Sequence, residues 1–208
     1  MNAEGYIKFD LDWTEGPPLP AEGLAETIRW RQKLHALGYI GMYPDGIGFG
    51  NISCRWEADR FAISGTATGG IAGIRPEHFC LVTGFDLAQN RLECLGPVRA
   101  SAESMTHGAV YRTSRTAASV IHIHHLPFWE KLLFKVPTTR EEVTYGTPAM
   151  AVEIQRLFLE EGLEECRILC MAGHREGIVS FGPTAESAGQ ILLDWARLSG
   201  CLPVSAPT

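Results

Sequence analysis

A chain of 208 residues has room for one domain with a sizeable core, and a 45% hydrophobic, 20% charged composition is ordinary for a globular protein. The formal net charge is −6 and no basic cluster runs along the chain, which argues against a nucleic-acid partner. No apolar run reaches the roughly 20 residues that span a bilayer. The opening MNAEGYIKFDLDW lacks the basic-then-apolar order of a secretion signal, so a cytoplasmic protein with no membrane partner is expected. The six cysteines (Cys54, Cys80, Cys94, Cys166, Cys170 and Cys201) are scattered and read as reduced thiols. Cys166 and Cys170, close together in EECRILCM, read as core residues before metal ligands.

In chain order, Gly16, Pro17, Pro18 and Pro20 form a stiff lead-in. A helix fits Ala21 to Leu37, with apolar residues near helical spacing and Gly38 as its stop. The glycine-rich stretch 46–51 then runs into strand-like residues Ile52 to Trp56, not into a helix, which excludes a dinucleotide fingerprint. Short strands are expected at Phe61–Ile63, Phe79–Thr83 and Arg91–Leu95. A second helix fits Ala102–Arg112 with Ser101 as its cap. Ser119–His124 is β-branched and reads as a strand. A third helix has Thr147 as cap, Pro148 in its first turn and Gly162 past its end. Arg167–Met171 reads as a buried strand. The last helix, from Thr184 to Leu198, carries Ala188, Ile191, Trp195 and Leu198 on one face. Strands and helices mixed in this way predict a layered α/β domain.

The sharpest chemical signal is Val120-Ile121-His122-Ile123-His124-His125. Strand side chains two apart share a face, so His122 and His124 point together while Ile121 and Ile123 face a core. Two imidazoles so placed converge easily on one transition-metal ion; the plain alternative is a pair of polar residues on a sheet edge. A third ligand is needed. His174 has the best setting, after a buried apolar run and a glycine in LCMAGH. His35 fits a helix surface, and His78 follows Pro76 in a turn. Glu103 and His107, four apart on a helix, share a face and read first as a structural hydrogen-bonded pair. Glu103 near the helix start is equally explained as a charge favoured by the helix dipole.

Read together, the segments GFGNISCR, FAISGTATG, SAESMTHGAVYR, VIHIHH, YGTPAMA and AGHREGIVSFG resemble the class II aldolase/adducin family, from about the first helix to Leu198. The resemblance implies a three-layer α/β/α fold with a mixed, mostly antiparallel central sheet. It makes 1–208 a single domain, with a core of about 21–198, an N-terminal extension of 1–20 and a tail of 199–208. It implies a divalent metal on His122, His124 and His174, zinc first, with manganese, cobalt or iron as alternatives. Glu103 becomes the acid/base. Gly50, Asn51, Ser101 and, by a looser match, Thr68 and Gly69 become substrate-binding residues. A homotetramer with its sites at subunit interfaces is implied as well.

Two departures from the family's sugar-phosphate aldolases stand out. Ser101-Ala102 replaces a pair of serines, so one phosphate-gripping hydroxyl is gone. The segment from His124 to Tyr145 is short and lacks the place of a proton-donating tyrosine, while Tyr145 itself aligns elsewhere. The expected activity is that of a metal-dependent lyase-type enzyme of carbohydrate metabolism, acting on a small hydroxy-carbonyl substrate through an enediolate. A dehydratase, epimerase or decarboxylase of the same family is the alternative. The rival of another class is a non-catalytic, adducin-like interaction module, which would lack the metal histidines.

Overall fold

The computed structural model describes residues 6–202. The first five residues of the expected extension and the last six of the expected tail therefore lie outside the described residues. Ten strands and six helices follow in order. They are β1 (Asp10–Glu15), α1 (Ala21–Ala36), β2 (Gly41–Met42), β3 (Gly48–Phe49), β4 (Asn51–Arg55), β5 (Phe61–Ser64), β6 (Phe79–Asp86), β7 (Arg91–Gly96) and α2 (Ser104–Thr113). After these come β8 (Ser119–His124), α3 (Leu126–Leu132), α4 (Pro148–Glu160), α5 (Leu163–Cys166), β9 (Ile168–Cys170), β10 (Gly177–Gly182) and α6 (Ala185–Leu198). A one-turn 3-10 helix over Pro76–His78 leads into β6.

Eight strands form one sheet in the order β1-β7-β6-β5-β4-β8-β10-β9, and β2 and β3 make a separate small hairpin. Every neighbouring pair in the large sheet is antiparallel except β1 with β7. The sheet is thus mixed and mostly antiparallel, as expected. Alternating side chains on its strands feed two cores. Val120, Val179, Phe61 and Val82 pack with Met105, Val110, Ile154 and Leu157 of α2 and α4 on one face. Ile52, Ile121, Ile123 and Ile178 pack with Leu24, Trp30, Leu34 and Leu192 of α1 and α6 on the other. These are three layers, α/β/α.

Several expected elements are found in place, with physical causes that were legible. The Thr147 hydroxyl accepts from the Met150 amide ahead of Pro148, and Thr184 forms a reciprocal cap with Ser187. Gly38, at φ +75°, ends α1. Other expectations are corrected. α2 begins at Ser104, and Ser101 is not its cap; the position before the helix is Glu103, which makes no side-chain cap bond. The Ser101 hydroxyl instead accepts from Asn51 Nδ2 at 3.0 Å, across the sheet-to-helix gap. The inward face of α6 carries Ala185, Ala188, Gly189, Leu192 and Ala196, whereas Leu198 is exposed. The small hairpin β2–β3, the short α5 and the strand β10 were not anticipated, and neither were β1 and α3. β1 forms from the stretch before Gly16 and pairs in parallel with β7. α3 follows β8 directly, capped by His125, whose Nδ1 accepts from the Phe128 amide at 3.1 Å.

Candidate metal centre and active site

β8 is the central positioning element. Its register sets Asn51 of β4 opposite His122 on one side, and Val179 and Gly177 of β10 opposite His122 and His124 on the other. Ile121 and Ile123 anchor the strand in the α1/α6 core. His122 and His124 therefore emerge on the α2/α4 side. His174 arrives from the turn between β9 and β10, and Gly177 lets it close in: a Cβ there would lie 3.3 Å from His122 Nε2 and 3.0 Å from the His174 carbonyl oxygen. The rings of His122, His124 and His174 sit with centroids 4.7 to 5.2 Å apart. One nitrogen of each lies within 4.8 Å of the others, and all three residues are buried.

Burial sets the protonation of this cluster. It pushes His122 and His124 well below the ordinary imidazole value, and the neighbouring imidazoles add to the effect. Neutral imidazole is the form that ligates a metal. Glu103 is fully sequestered beside them. Burial alone would raise its carboxyl, but the facing His122 and His174 and the Thr106 hydroxyl outweigh that and bring it down to about 2. Its Oε1 is 3.1 Å from His174 Nδ1 and its Oε2 accepts from Thr106 Oγ1 at 2.7 Å.

Two orphaned atoms test whether a metal fits. His122 Nε2 is buried with no hydrogen-bond partner, and so is Asn51 Oδ1. Asn51 Nδ2 lies 3.4 Å from His122 Nδ1. Turning the Asn51 amide over would let its oxygen accept both from a protonated Nδ1 and from the Ser101 hydroxyl, which would then donate, leaving the Nε2 lone pair for an ion. A divalent cation among the three imidazoles thus answers a buried polar atom that the protein alone leaves unsatisfied.

The sequence candidates divide clearly. His122, His124, His174 and Glu103 come together. Gly50, Asn51, Thr68, Gly69, Ser101, Ala102 and Glu103 all line one cavity of about 240 Å³. Two of its glycines also have packing reasons to be glycine. Gly50 has φ +73°, and a Cβ on Gly69 would meet the Gly41 carbonyl oxygen at 2.3 Å. His107 does not pair with Glu103; its Nδ1 is 2.7 Å from Ser53 Oγ, in the core. His78 Nδ1 accepts from the Arg75 amide in its turn, and His35 stays on α1. Cys170 is buried and Cys166 half-buried, both in the α1/α6 core.

Sequence reasoning passed over three residues. Tyr145 lines the cavity and stacks on His174 with centroids 4.5 Å apart. Tyr43 and Glu176 reach His124 through hydrogen bonds. The YGTP motif flagged Tyr145 but not its place; nothing local flagged the other two.

The fold is shared with proteins of known structure. Residues 42–128, which contain both strand histidines and Glu103, match the model of the Class II Aldolase and Adducin N-terminal domain. That match over part of the chain and the shared architecture support a class II aldolase-like fold. An L-fuculose 1-phosphate aldolase superposes with a TM-score of 0.63 at 19% identity, over 91% of this chain and 92% of that one. The sugar-phosphate aldolase of Thermotoga maritima gives 0.64 at 14%, over 87% and 93%. The L-fuculose-1-phosphate aldolase of Thermus thermophilus gives 0.53 at 22%, over 88% and 99%. At such identities the likeness is one of fold. No curated protein matches the sequence. Among the described residues, no helix is long and apolar enough to cross a membrane.

Proposed function

We propose that this protein is a metal-dependent lyase-type enzyme acting on a small, sugar-like hydroxy-carbonyl compound through an enediolate. The observation that carries the proposal is the buried trio of imidazoles, His122, His124 and His174, beside Glu103 at the wall of a cavity. His122, His124 and His174 would hold the ion; imidazoles suit zinc, which the family resemblance also favours, with manganese, cobalt or iron as alternatives. A bound divalent cation supplies Lewis-acid stabilisation of negative charge developing on substrate oxygens. Glu103 takes the proton from the carbon next to the carbonyl and returns it. Burial excludes water from that exchange. The glycine-rich walls around Gly50 and Gly69, with Asn51, Thr68 and Ser101, take the far polar end of the substrate.

One observation favours proton transfer, dehydration or decarboxylation over cleavage of a phosphorylated ketose. Ala102 lines the cavity where a second serine would grip phosphate, and α3 occupies the segment after β8, which contains no tyrosine before Tyr145. Cytoplasmic location and a homotetramer are part of the proposal; the family resemblance supports the tetramer.

The test is elemental analysis of purified protein, followed by solvent-deuterium exchange into a panel of hydroxy-ketones, hydroxy-keto acids and their phosphates. One ion per chain, lost in His122→Ala, and exchange lost in Glu103→Gln are expected. A chain that takes up no ion and exchanges no substrate would be a non-catalytic, adducin-like module.

A further inference from the structure

Tyr43 and Glu176 have no part in the reaction outlined above, yet they end on one of its histidines. The Tyr43 hydroxyl donates to Glu176 Oε2 at 2.8 Å, and the phenol oxygen also lies 2.8 Å from His124 Nδ1. A carboxylate only accepts, so the phenol proton goes to Glu176 and the phenol oxygen presents a lone pair to the imidazole. The donor to that lone pair is His124 Nδ1–H. The other ring nitrogen, Nε2, then keeps its lone pair.

Both residues are held for this contact. Tyr43 opens the turn between β2 and β3, closed by its amide to the Ile47 carbonyl at 2.8 Å and by the Gly46 amide to its own carbonyl at 2.9 Å. Its ring lies 4.5 Å from that of Phe49, which in turn sits 5.7 Å from the His124 ring. Glu176 lies two residues after His174 at φ +76°, a left-handed conformation that disfavours a non-glycine residue. Glycine would relieve that, but glycine could not reach Tyr43. The Glu176 carbonyl also accepts from the His125 amide at 3.1 Å, which ties this turn to the end of β8. The turns carrying Tyr43 and Glu176 therefore meet over a single ring.

We propose that Tyr43 and Glu176 are positioning residues that fix His124 as its Nδ1–H tautomer and hold Nε2 toward the three-histidine cluster. The role rests on the metal reading given above. Partners of this kind set the tautomer, orientation and basicity of a ligating imidazole.

Two measurements on the full-length chain separate the relay from the metal reading. In metal-free protein, nitrogen-15 NMR of the imidazoles reports the tautomer. His124 should be protonated at Nδ1 in the wild type and lose that preference in Tyr43→Phe. Titration with cobalt(II) alone, followed by visible absorption, reports the affinity of the site. Tyr43→Phe and Glu176→Ala should each weaken it by about 10- to 100-fold, and the double variant by no more than either. Glu176→Gln, whose amide oxygen still accepts the phenol proton, should retain most of it. A wild-type His124 protonated at Nε2, or cobalt affinities unchanged in Tyr43→Phe and Glu176→Ala, overturns the relay while the metal site stands. A wild-type chain that keeps the Nδ1–H tautomer but takes up no cobalt overturns the metal reading, and with it the role assigned to the pair.

Discussion

Arg31 of α1 is buried, and no carboxylate is among its hydrogen-bond partners. Its guanidinium donates to the carbonyls of Ile71, Thr68 and Gly69 at 2.7, 2.7 and 2.6 Å. Burial lowers its pKa to about 10, still far above neutrality, so the charge stays on. The loop from 65 to 71 thus turns its carbonyls toward Arg31, and the same loop lines the cavity through Gly65 to Gly69. Arg31→Met keeps the aliphatic packing and removes all three donors. The Thr68 carbonyl keeps the Ile71 amide at 3.1 Å; the Ile71 and Gly69 carbonyls lose the donor from Arg31 at about 1–3 kcal/mol each, while removing a buried charge returns part of that, so a net loss of about 3 kcal/mol is expected. With a urea slope of about 2 kcal/mol/M, the midpoint should fall by about 1.5 M. Arg31→Lys should recover only a part, because one ammonium cannot span three carbonyls fixed by a planar fork. Equilibrium urea unfolding followed by tryptophan fluorescence reads the shift. A midpoint within about 0.3 M of wild type would show that the loop does not depend on Arg31 and would refute the accounting.

Glu103→Gln should lower turnover by about a hundredfold to ten-thousandfold while the chain still takes up its ion; unchanged turnover on a responsive substrate would leave Glu103 a charge before a helix. His107, held down to about 4 by burial, binds fewer protons folded than unfolded between pH 4 and about 6.5. Its contribution is complete above that range and is lost as pH falls through it, up to about 3 kcal/mol, so His107→Gln should flatten the acid limb of a stability–pH curve. Fuculose 1-phosphate and rhamnulose 1-phosphate should be cleaved far more slowly than about 10 per second; a rate at that level would show that Ala102 and the segment after β8 do not limit the chemistry. Light scattering should report a tetramer whose activity falls on dilution, and a fully active monomer would contradict a site completed by a neighbour.

Much of the candidate site was legible because its first elements are local. A two-residue period on Ser119–His124 is enough to put His122 and His124 on one face and two isoleucines on the other. Thr147 with Pro148, and Thr184 with its capping partner, announce helix starts by chemistry acting over three residues. The same local reasoning misplaced Ser101, since a serine before a helix looks like a cap whether or not its hydroxyl is free. Here the hydroxyl goes to Asn51, fifty residues away. It also gave His107 to Glu103, on the same helix, when the nearer partner was Ser53 on a strand.

By itself, then, the sequence determined the layered α/β class, the strand that carries two histidines and a motif order that resembles one family. Local periodicity and capping depend only on neighbours along the chain, and those are written in it directly. Only the tertiary structure decided that Asn51 stands beside His122, that Arg31 grips the cavity loop, and that Tyr43 and Glu176 meet at His124. Each of these contacts joins segments from 37 to 133 residues apart. Such partners are chosen by strand order and by which faces bury together, and these are properties of the packed whole.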